Sequence, residues 1–381
     1  MLHPLPMLLD SAVVQGDPLA AASAAALRHV SDEEAGFRRV RRGKSFSYVD
    51  ARGRAVRDRA TLARVRALVI PPAWTDVWIS PDPDGHIQAT GRDARGRKQY
   101  RYHAKWREVR DEAKYHRLVG FCRALPSLRQ AVERDLACAC LCKRKVVATI
   151  VALMERAQLR VGNDEYARQN RSYGATTLRD RHAKIHGDTL ELSYRGKGGI
   201  ERRIRMTDRR LARIVRRCRD LPGQRLFQYV EGGAIRPITS SDVNDYIREI
   251  TSGPFTAKDY RTWAATLGAA LLLCALERPA TARACKRCVK EVLCAVAERL
   301  GHTPAICKKS YVHPRILDDF TADRLGPALA RHIRRRLRAC GGGPPEAALE
   351  RLVQRFEVDA LRAIEPVVAR YLDPAAQRRR A

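Results

Sequence analysis

The chain has 381 residues, of which 45% are hydrophobic and 30% are charged. It is long enough for two or three domains and too apolar to be disordered throughout. The 73 lysines and arginines exceed the 42 acidic residues, which gives a net charge of +31. Such a surplus repels itself unless a polyanion is bound, so we expect DNA or RNA as the partner, with an anionic membrane surface as the weaker alternative.

No apolar run is long enough to predict a transmembrane helix. The longest, Trp263 to Leu276, falls short of the roughly 18 residues that a span needs. The opening residues, MLHPLPMLLDSAVVQGD, lack the basic start of a signal peptide. Without an export signal, the 11 cysteines are expected to be reduced thiols. We therefore expect a cytoplasmic, nucleoid-associated protein without membrane contact.

The N-terminal third divides into two predicted segments. Residues 1–35 are rich in alanine without a clear period and are expected to form a tail. Residues 36–110 are predicted as a small antiparallel β-rich domain, because short runs such as Phe46–Val49 and Val77–Ile79 lie between glycine and proline turns.

Residues 111–340 are predicted as a larger, mainly α-helical domain. Apolar residues recur at helical spacing from Val146 to Ala157, which is typical of an amphipathic helix. The glycine and proline run Gly341–Pro345 then interrupts the chain before residues 341–381 continue as a helical extension, with an apolar face from Leu349 to Phe356. The predicted fold class is therefore α+β.

A three-stranded sheet interrupts the helical domain. Alternating residues predict a hairpin of Leu190–Tyr194 and Ile200–Met206, with Ala183–Ile185 as the third strand. Lys197 lies at the hairpin tip between glycines. A lysine in such a turn is usually solvated, but a mobile tip lysine can also reach into a groove.

Arg160 is predicted to close the helix that starts near Lys145, with Gly162 as its C-cap. An arginine in a last turn commonly interacts with the helix carbonyl groups, so this position alone does not indicate function.

Thr256 and Asp259 predict a capping box at the start of the next long helix. Lys258 and Arg261 lie three residues apart and share a face near the positive end of that helix. Two cations at this position are unfavourable without an anion, and the buried run that follows holds them rigidly. The pair therefore predicts a phosphate-binding site.

A second helix junction contains a histidine and is followed by a tyrosine. Gly301 is predicted to end one helix, while Thr303 and Pro304 begin the next. Tyr311 follows nine residues after His302. A single tyrosine normally packs in a core. Whether Tyr311 indicates a function therefore depends on the cations around it.

These residue types together suit chemistry at a phosphodiester. Tyrosine can act as a nucleophile, lysine can protonate the leaving sugar oxygen, and arginine and histidine can stabilise the added negative charge. The sequence has no acidic cluster of the kind that holds two magnesium ions. It also has no Walker-type loop. We therefore expect no metal, no other cofactor and no ATP.

Over roughly residues 36–320 the chain resembles the type IB DNA topoisomerases of the small poxviral and bacterial group. The resemblance rests on five motifs in one order, namely Arg160-Val161-Gly162-Asn163-Asp164-Glu165-Tyr166, Thr176-Thr177-Leu178, Gly196-Lys197, Lys258-Asp259-Tyr260-Arg261-Thr262-Trp263, and Gly301-His302-Thr303-Pro304 with Ser310-Tyr311. Gly198 departs from the pattern, since some relatives carry an acidic residue after the lysine.

The resemblance implies the roles of these residues. Tyr311 would be the nucleophile, Lys258 would assist general acid catalysis, and the transition state would be stabilised by Arg160, Lys197, Arg261 and His302. The implied reaction is relaxation of supercoiled duplex DNA through a transient 3′-phosphotyrosyl bond. The resemblance also implies a monomer that forms a C-shaped clamp around DNA.

The resemblance also implies DNA contacts by Arg97, Lys98, Gln99, Tyr100, Tyr102 and Tyr166. Strand alternation independently places Lys98, Tyr100 and Tyr102 on one face, which suits contacts in a groove. The alternative is a half-exposed strand with packing tyrosines.

Two other functions remain open from the sequence. Tyrosine recombinases use a similar residue set, but their second arginine normally lies in a His-x-x-Arg motif, where this chain has Lys258-x-x-Arg261. A non-catalytic architectural DNA-binding protein would also explain the charge, but gives no reason for Tyr311. Cys285 and Cys288 have the spacing of half a zinc site and equally fit one helix face.

Overall fold

The computed structural model describes residues 11–43, 45–325, 329–331, 333, 335 and 358–373. The predicted helical face from Leu349 to Phe356 lies outside these residues. The chain divides into two units, Met1–Arg117 and Leu118–Ala381.

An antiparallel sheet forms the centre of the first unit. Its five strands lie in the order β2-β1-β3-β4-β5, with all neighbours antiparallel. The strands are β1 Phe37–Arg42, β2 Ser45–Val49, β3 Thr75–Ile79, β4 Ile87–Arg92 and β5 Lys98–Tyr102. Helix α3, Arg59–Ala67, connects β2 to β3 in the chain, and its Val65 packs with Val77 and Ile79 of the sheet. The predicted antiparallel β-rich character of this region is confirmed.

Two short helices precede the sheet, where the sequence suggested a tail. They are α1 Ser11–Gln15 and α2 Pro18–Ala24. Ala21 and Ala22 are buried in one cluster with Trp106 and Val109. The alanine side chains are small enough for the helices to pack closely against these larger residues, which explains a buried segment without strong hydrophobic periodicity.

The second unit is mainly helical. Its helices are α4 Ala104–Leu136 (which begins in the first unit), α5 Lys143–Ala157, α6 Asp164–Asn170, α7 Arg209–Arg219, α8 Ser240–Thr251, α9 Ala257–Ala275, α10 Ala282–Leu300, α11 Pro304–Ser310, α12 Pro314–Thr321 and α13 Val358–Leu372. Helix α9 is buried along most of its length and forms the centre of this unit. Among the described helices, none is both long and apolar enough to cross a membrane.

Two small sheets accompany these helices. The predicted three-stranded sheet is present, with β7 Thr189–Arg195 between β6 Ala183–His186 and β8 Glu201–Thr207. A second hairpin, β9 Gln228–Glu231 with β10 Ala234–Pro237, was not predicted. The mainly α-helical character of this region, with its small antiparallel sheet, agrees with the α+β class.

Helix α13 is fixed to the rest of the second unit by buried polar contacts. Glu365, which is 7% exposed, accepts hydrogen bonds from Arg129 of α4 at 2.8 Å and from Trp263 of α9 at 3.3 Å. Arg362 of α13 donates to Glu155 of α5 at 2.9 Å. The C-terminal helix is therefore part of the core that holds α9 in place.

Candidate active site

Arg160 does not lie in a helix, which corrects the prediction that it closes α5. The helix ends at Ala157, and Gln158 caps it in the left-handed conformation with φ 52°. Arg160 follows in a loop. Gly162, predicted as the C-cap, has φ +107° and instead allows a close approach of two loops.

The loop that carries Arg160 is joined to the predicted Thr176-Thr177 motif. The Ala175 N–H donates to the Arg160 carbonyl at 2.8 Å, and the Thr176 N–H donates to the Val161 carbonyl at 2.7 Å. A Cβ at Gly174 would lie 2.6 Å from the backbone of Gly162. Two glycines and the threonine motif therefore fix the backbone from which the Arg160 side chain extends.

Arg261 is buried on α9 and joins three elements. The predicted capping box at the start of α9 is present, since the Asp259 carboxylate accepts from the Thr256 N–H at 2.8 Å. Arg261 is 4% exposed and donates to the carbonyl groups of Gln158, after α5, and Leu300, at the end of α10. It therefore connects the helix ends that precede Arg160 and His302.

The Arg261 charge has little compensation in its surroundings. Burial, and then the Arg160 charge, lower the pKa of Arg261 to about 9. Its Nε is buried without a hydrogen-bond partner in the part of the chain that the structure describes. Lys258, one turn earlier, is exposed. An anion bound at this site would stabilise the charged guanidinium, whose burial otherwise costs folding free energy.

His302 lies between the two arginines. Arg160 Nη2 is 3.0 Å from Nδ1 and 3.2 Å from Nε2, and Arg261 Nη2 is 2.9 Å from Nε2. Burial, followed by the charges of Arg160, Arg261, Lys197 and Arg202, lowers the pKa of His302 to about 3. The imidazole is therefore neutral at physiological pH and keeps one N–H donor.

Tyr311 packs against this cluster at the end of α11. Its side chain is mostly buried, with 8% of the residue exposed, and its ring centroid is 4.2 Å from that of His302. Burial alone would raise the pKa of Tyr311, but Arg160, Arg261 and Lys258 outweigh it, so that the net pKa lies below its usual value. The Arg261 guanidinium lies 5.7 Å from the Tyr311 ring centroid. The arrangement favours a phenolate that faces cations.

Lys197 lies at the hairpin tip, as predicted, in a single 3-10 turn between β7 and β8. It is exposed, and its Nζ is 5.4 Å from the Tyr166 ring centroid. It also lines a small pocket together with Arg160, Arg202 and Arg261. The structure thus brings Arg160, Arg261, His302 and Tyr311 together, with Lys197 on the adjoining pocket. Lys258 lies exposed one turn before Arg261 on the same helix.

Two residues of this cluster were not found from the sequence. Thr266 of α9 contacts the backbone that follows Tyr311, and Arg202 of β8 lines the pocket. The only sequence signal for Arg202 is the alternation of β8, which places it on the inner face with Ile204. Thr266 falls inside a buried helix, where a threonine has no distinguishing pattern.

The predicted DNA-contacting strand is β5. Tyr100 and Tyr102 stack with ring centroids 5.7 Å apart, and the Lys98 Nζ is 5.6 Å from the Tyr100 ring, so the three share a face as expected. Lys98 also pairs with Asp32 at 2.7 Å. Arg97 and Gln99 both contact the Asp93 carboxylate, at 2.6 Å and 2.9 Å. Carboxylates therefore partly compensate the basic charge of this strand.

Comparison with known proteins gives consistent matches over both units. Residues 103–325, more than half of the chain, match the catalytic core of eukaryotic DNA topoisomerase I, and residues 45–93 match the N-terminal domain of bacterial DNA topoisomerase IB. The chain is similar to DNA topoisomerase 1B of Acanthamoeba polyphaga mimivirus, with 37% identity over 261 residues, which cover 66% of this chain and 77% of the viral protein.

A more distant similarity extends to DNA topoisomerase 1 of Mycosarcoma maydis, which is 25% identical over 176 residues, or 41% of this chain and 17% of the fungal protein. The matched core contains the tyrosine, the histidine and the arginines described above. These matches show that the chain belongs to the type IB DNA topoisomerase family and is an enzyme of that class.

Proposed function

We propose that this enzyme relaxes supercoiled duplex DNA by cutting and rejoining one strand through a covalent bond between Tyr311 and a 3′-phosphate. The observation that supports this most directly is the set of cations that act on the Tyr311 side chain, namely Arg160, Arg261 and Lys258. The same charges would attract the phosphodiester that the tyrosine attacks.

In the cleavage step, the Tyr311 oxygen bonds to phosphorus, and the bond from phosphorus to the 5′-oxygen breaks. The phenolic proton leaves to solvent, because the charged groups that shift the Tyr311 pKa are cations and cannot accept it. The lowered pKa increases the phenolate fraction and therefore the rate of attack. The nicked strand then rotates, and attack by the 5′-hydroxyl on the phosphotyrosine restores the DNA.

Arg160, Arg261 and His302 stabilise the negative charge of the transition state. The buried Arg261 has an Nε–H without a partner among the described residues, and a phosphate oxygen can accept from it. The neutral His302 can donate its one N–H to the same phosphate. Donors held in place before the reaction contribute most in a site with little water, where electrostatic interactions are strong.

Lys197 protonates the departing 5′-oxygen. An ammonium group can release a proton, whereas a guanidinium, with a pKa above about 12, does so poorly. The exposed position of Lys197 at a glycine-flanked tip allows it to approach bound DNA. Lys258 contributes charge on the tyrosine side and assists this proton transfer.

The reaction needs neither ATP nor an obligatory metal. The phosphotyrosyl bond conserves the energy of the phosphodiester, and the arginines, lysines and histidine supply the charge stabilisation that a metal would otherwise provide. One chain contributes all six groups, which is consistent with a monomeric enzyme that acts on duplex DNA in the nucleoid.

Plasmid relaxation tests this proposal. The purified chain is incubated with negatively supercoiled plasmid in EDTA without ATP, and the topoisomers are separated on a gel. We expect complete relaxation through topoisomers that differ by single turns. No relaxation under these conditions, or changes in linking number only in steps of two, would contradict single-strand cleavage without cofactors. Recombined products at specific sites would instead indicate a recombinase.

A further inference from the structure

Arg202 lies between the two glycines that precede predicted catalytic residues. Gly196 comes directly before Lys197, and a Cβ there would lie 3.2 Å from the Arg202 Cγ. Gly301 comes directly before His302, and a Cβ there would lie 3.1 Å from the Arg202 Cδ. Both glycines therefore allow the aliphatic part of Arg202 to pack closely against the backbone.

The polar end of Arg202 joins the hairpin to α10. Its Nη1 donates to the Glu298 carbonyl in the last turn of α10 at 3.2 Å. Arg202 lies directly opposite Tyr194, its cross-strand neighbour on β7. Through this hydrogen bond and the packing of its stem, Arg202 connects the hairpin to the helix end that presents His302.

We propose that Arg202 is a positioning residue, which holds the Lys197 tip beside His302 so that the lysine reaches the leaving oxygen. This inference rests on the proposed function, in which Lys197 is the general acid. Without Arg202, the hydrogen bond from β8 to the Glu298 carbonyl of α10 and the packing against Gly196 and Gly301 are lost, so the turn that carries Lys197 is held less firmly beside His302. A displacement of about 1 Å can cost about 10²-fold in rate.

An alternative is that Arg202 acts by its charge on the phosphate, since it lines the same pocket as Arg160 and Arg261. The leaving group distinguishes the two roles. A positioning residue of the general acid matters only when the leaving oxygen needs a proton, whereas a charge on the phosphate matters for any leaving group.

The experiment measures single-turnover cleavage of duplex oligonucleotides that carry either oxygen or sulfur at the bridging 5′ position, with enzyme at saturation. The variants are Arg202→Met, which keeps an unbranched stem, and Lys197→Ala. Arg203→Met is the matched control, because Arg203 is the exposed neighbour on the same strand and loses the same charge. Thermal unfolding of each variant accompanies the rates.

We expect Arg202→Met to cleave the oxygen substrate about 10²-fold more slowly than the wild type, and to recover the wild-type rate on the sulfur substrate. Lys197→Ala should show the same recovery, and Arg203→Met should match the wild type on both substrates. Recovery on sulfur also shows that the variant is folded.

If Lys197→Ala recovers on sulfur but Arg202→Met does not, the positioning role is wrong and Arg202 acts on the phosphate or on the fold. Wild-type rates for Arg202→Met on both substrates would also overturn the inference. If neither variant recovers, Lys197 is not the acid, and the inference falls together with that part of the proposed function.

Discussion

Thr266, five residues after Arg261 on α9, holds the backbone at Tyr311. The Thr266 hydroxyl accepts from the His313 N–H at 3.1 Å and lies 3.3 Å from the Tyr311 carbonyl oxygen. Its single proton is shared with the Thr262 carbonyl at 2.9 Å. Because Arg261 and Thr266 extend from the same buried helix, the distance between the tyrosine segment and the arginine is set by one rigid element.

Substitution of Thr266 tests this relationship. Thr266→Val keeps the shape and removes the hydroxyl, so Tyr311 should shift, and cleavage should slow by up to about 10²-fold. DNA affinity should not change, since Thr266 is 0% exposed and cannot contact DNA. Thr266→Ser is the control and should restore most of the rate. Equal rates for the valine and serine variants would show that the hydroxyl does not position the tyrosine.

The depressed pKa of His302 predicts a pH dependence of stability. Its folded pKa of about 3 lies below the usual 6.5. Between these values the unfolded chain binds a proton that the folded chain does not, so the free energy of unfolding falls as the pH falls through this window. His302→Gln removes this contribution and should therefore lose less stability between pH 8 and pH 5 than the wild type.

Urea unfolding of both proteins at pH 9, 8, 6.5 and 5, without DNA, provides the measurement. Between pH 8 and pH 9 the two should respond alike, because His302 holds no proton in either state, and this range serves as the control. The same loss in both proteins on acidification would mean that His302 is not held neutral by its neighbours.

Phosphate contacts by β5 predict a specific salt dependence of DNA binding. Each contacting cation contributes about 0.9 to the magnitude of the log–log slope of affinity against salt. Lys98→Ala should lower the slope accordingly, and Asp32→Asn should raise affinity, because it removes the carboxylate that pairs with Lys98. Arg59→Ala, on an exposed position of α3, is the control. An unchanged slope for both Lys98→Ala and Arg97→Ala would indicate that β5 faces away from DNA.

The buried contacts of α13 predict that the C-terminal helix stabilises the catalytic unit. Glu365→Ala leaves Glu155 as the one acidic partner of Arg129 among the described residues, and removal of one member of a buried ion pair costs about 3–5 kcal/mol. Because Glu155 remains, we expect the lower end of this range in chemical unfolding. Glu291→Ala, in an exposed pair of α10, should change little. Similar effects of the two substitutions would mean that α13 contributes no buried network.

The sequence predicted the elements whose signals are local. Thr256 with Asp259 and Thr303 with Pro304 begin helices because the chemistry of an N-terminus is contained within four residues. The predicted catalytic residues around Tyr311 were identified from their types and their order along the chain. The roles assigned to them stay predictions.

What the sequence did not predict depends on distant partners. The end of α5 at Gln158 requires a left-handed residue, for which glutamine gives no signal, and its carbonyl binds Arg261 from another helix. Arg202 and Thr266 have no local pattern, because their roles arise only when β8, α9 and α10 meet. The burial of Ala21 and Ala22 depends on their packing with Trp106, which composition does not encode.

The identity of the covalently modified residue tests the account most directly. The enzyme is allowed to cleave a duplex oligonucleotide, the reaction is stopped with detergent, and the trapped complex is digested and mapped by mass spectrometry. We predict one modified peptide, with the nucleotide on Tyr311, and no adduct in Tyr311→Phe, which should still fold and bind DNA because it loses only a hydroxyl. An adduct on another residue, or plasmid relaxation by Tyr311→Phe, would contradict the assignment of Tyr311 as the nucleophile.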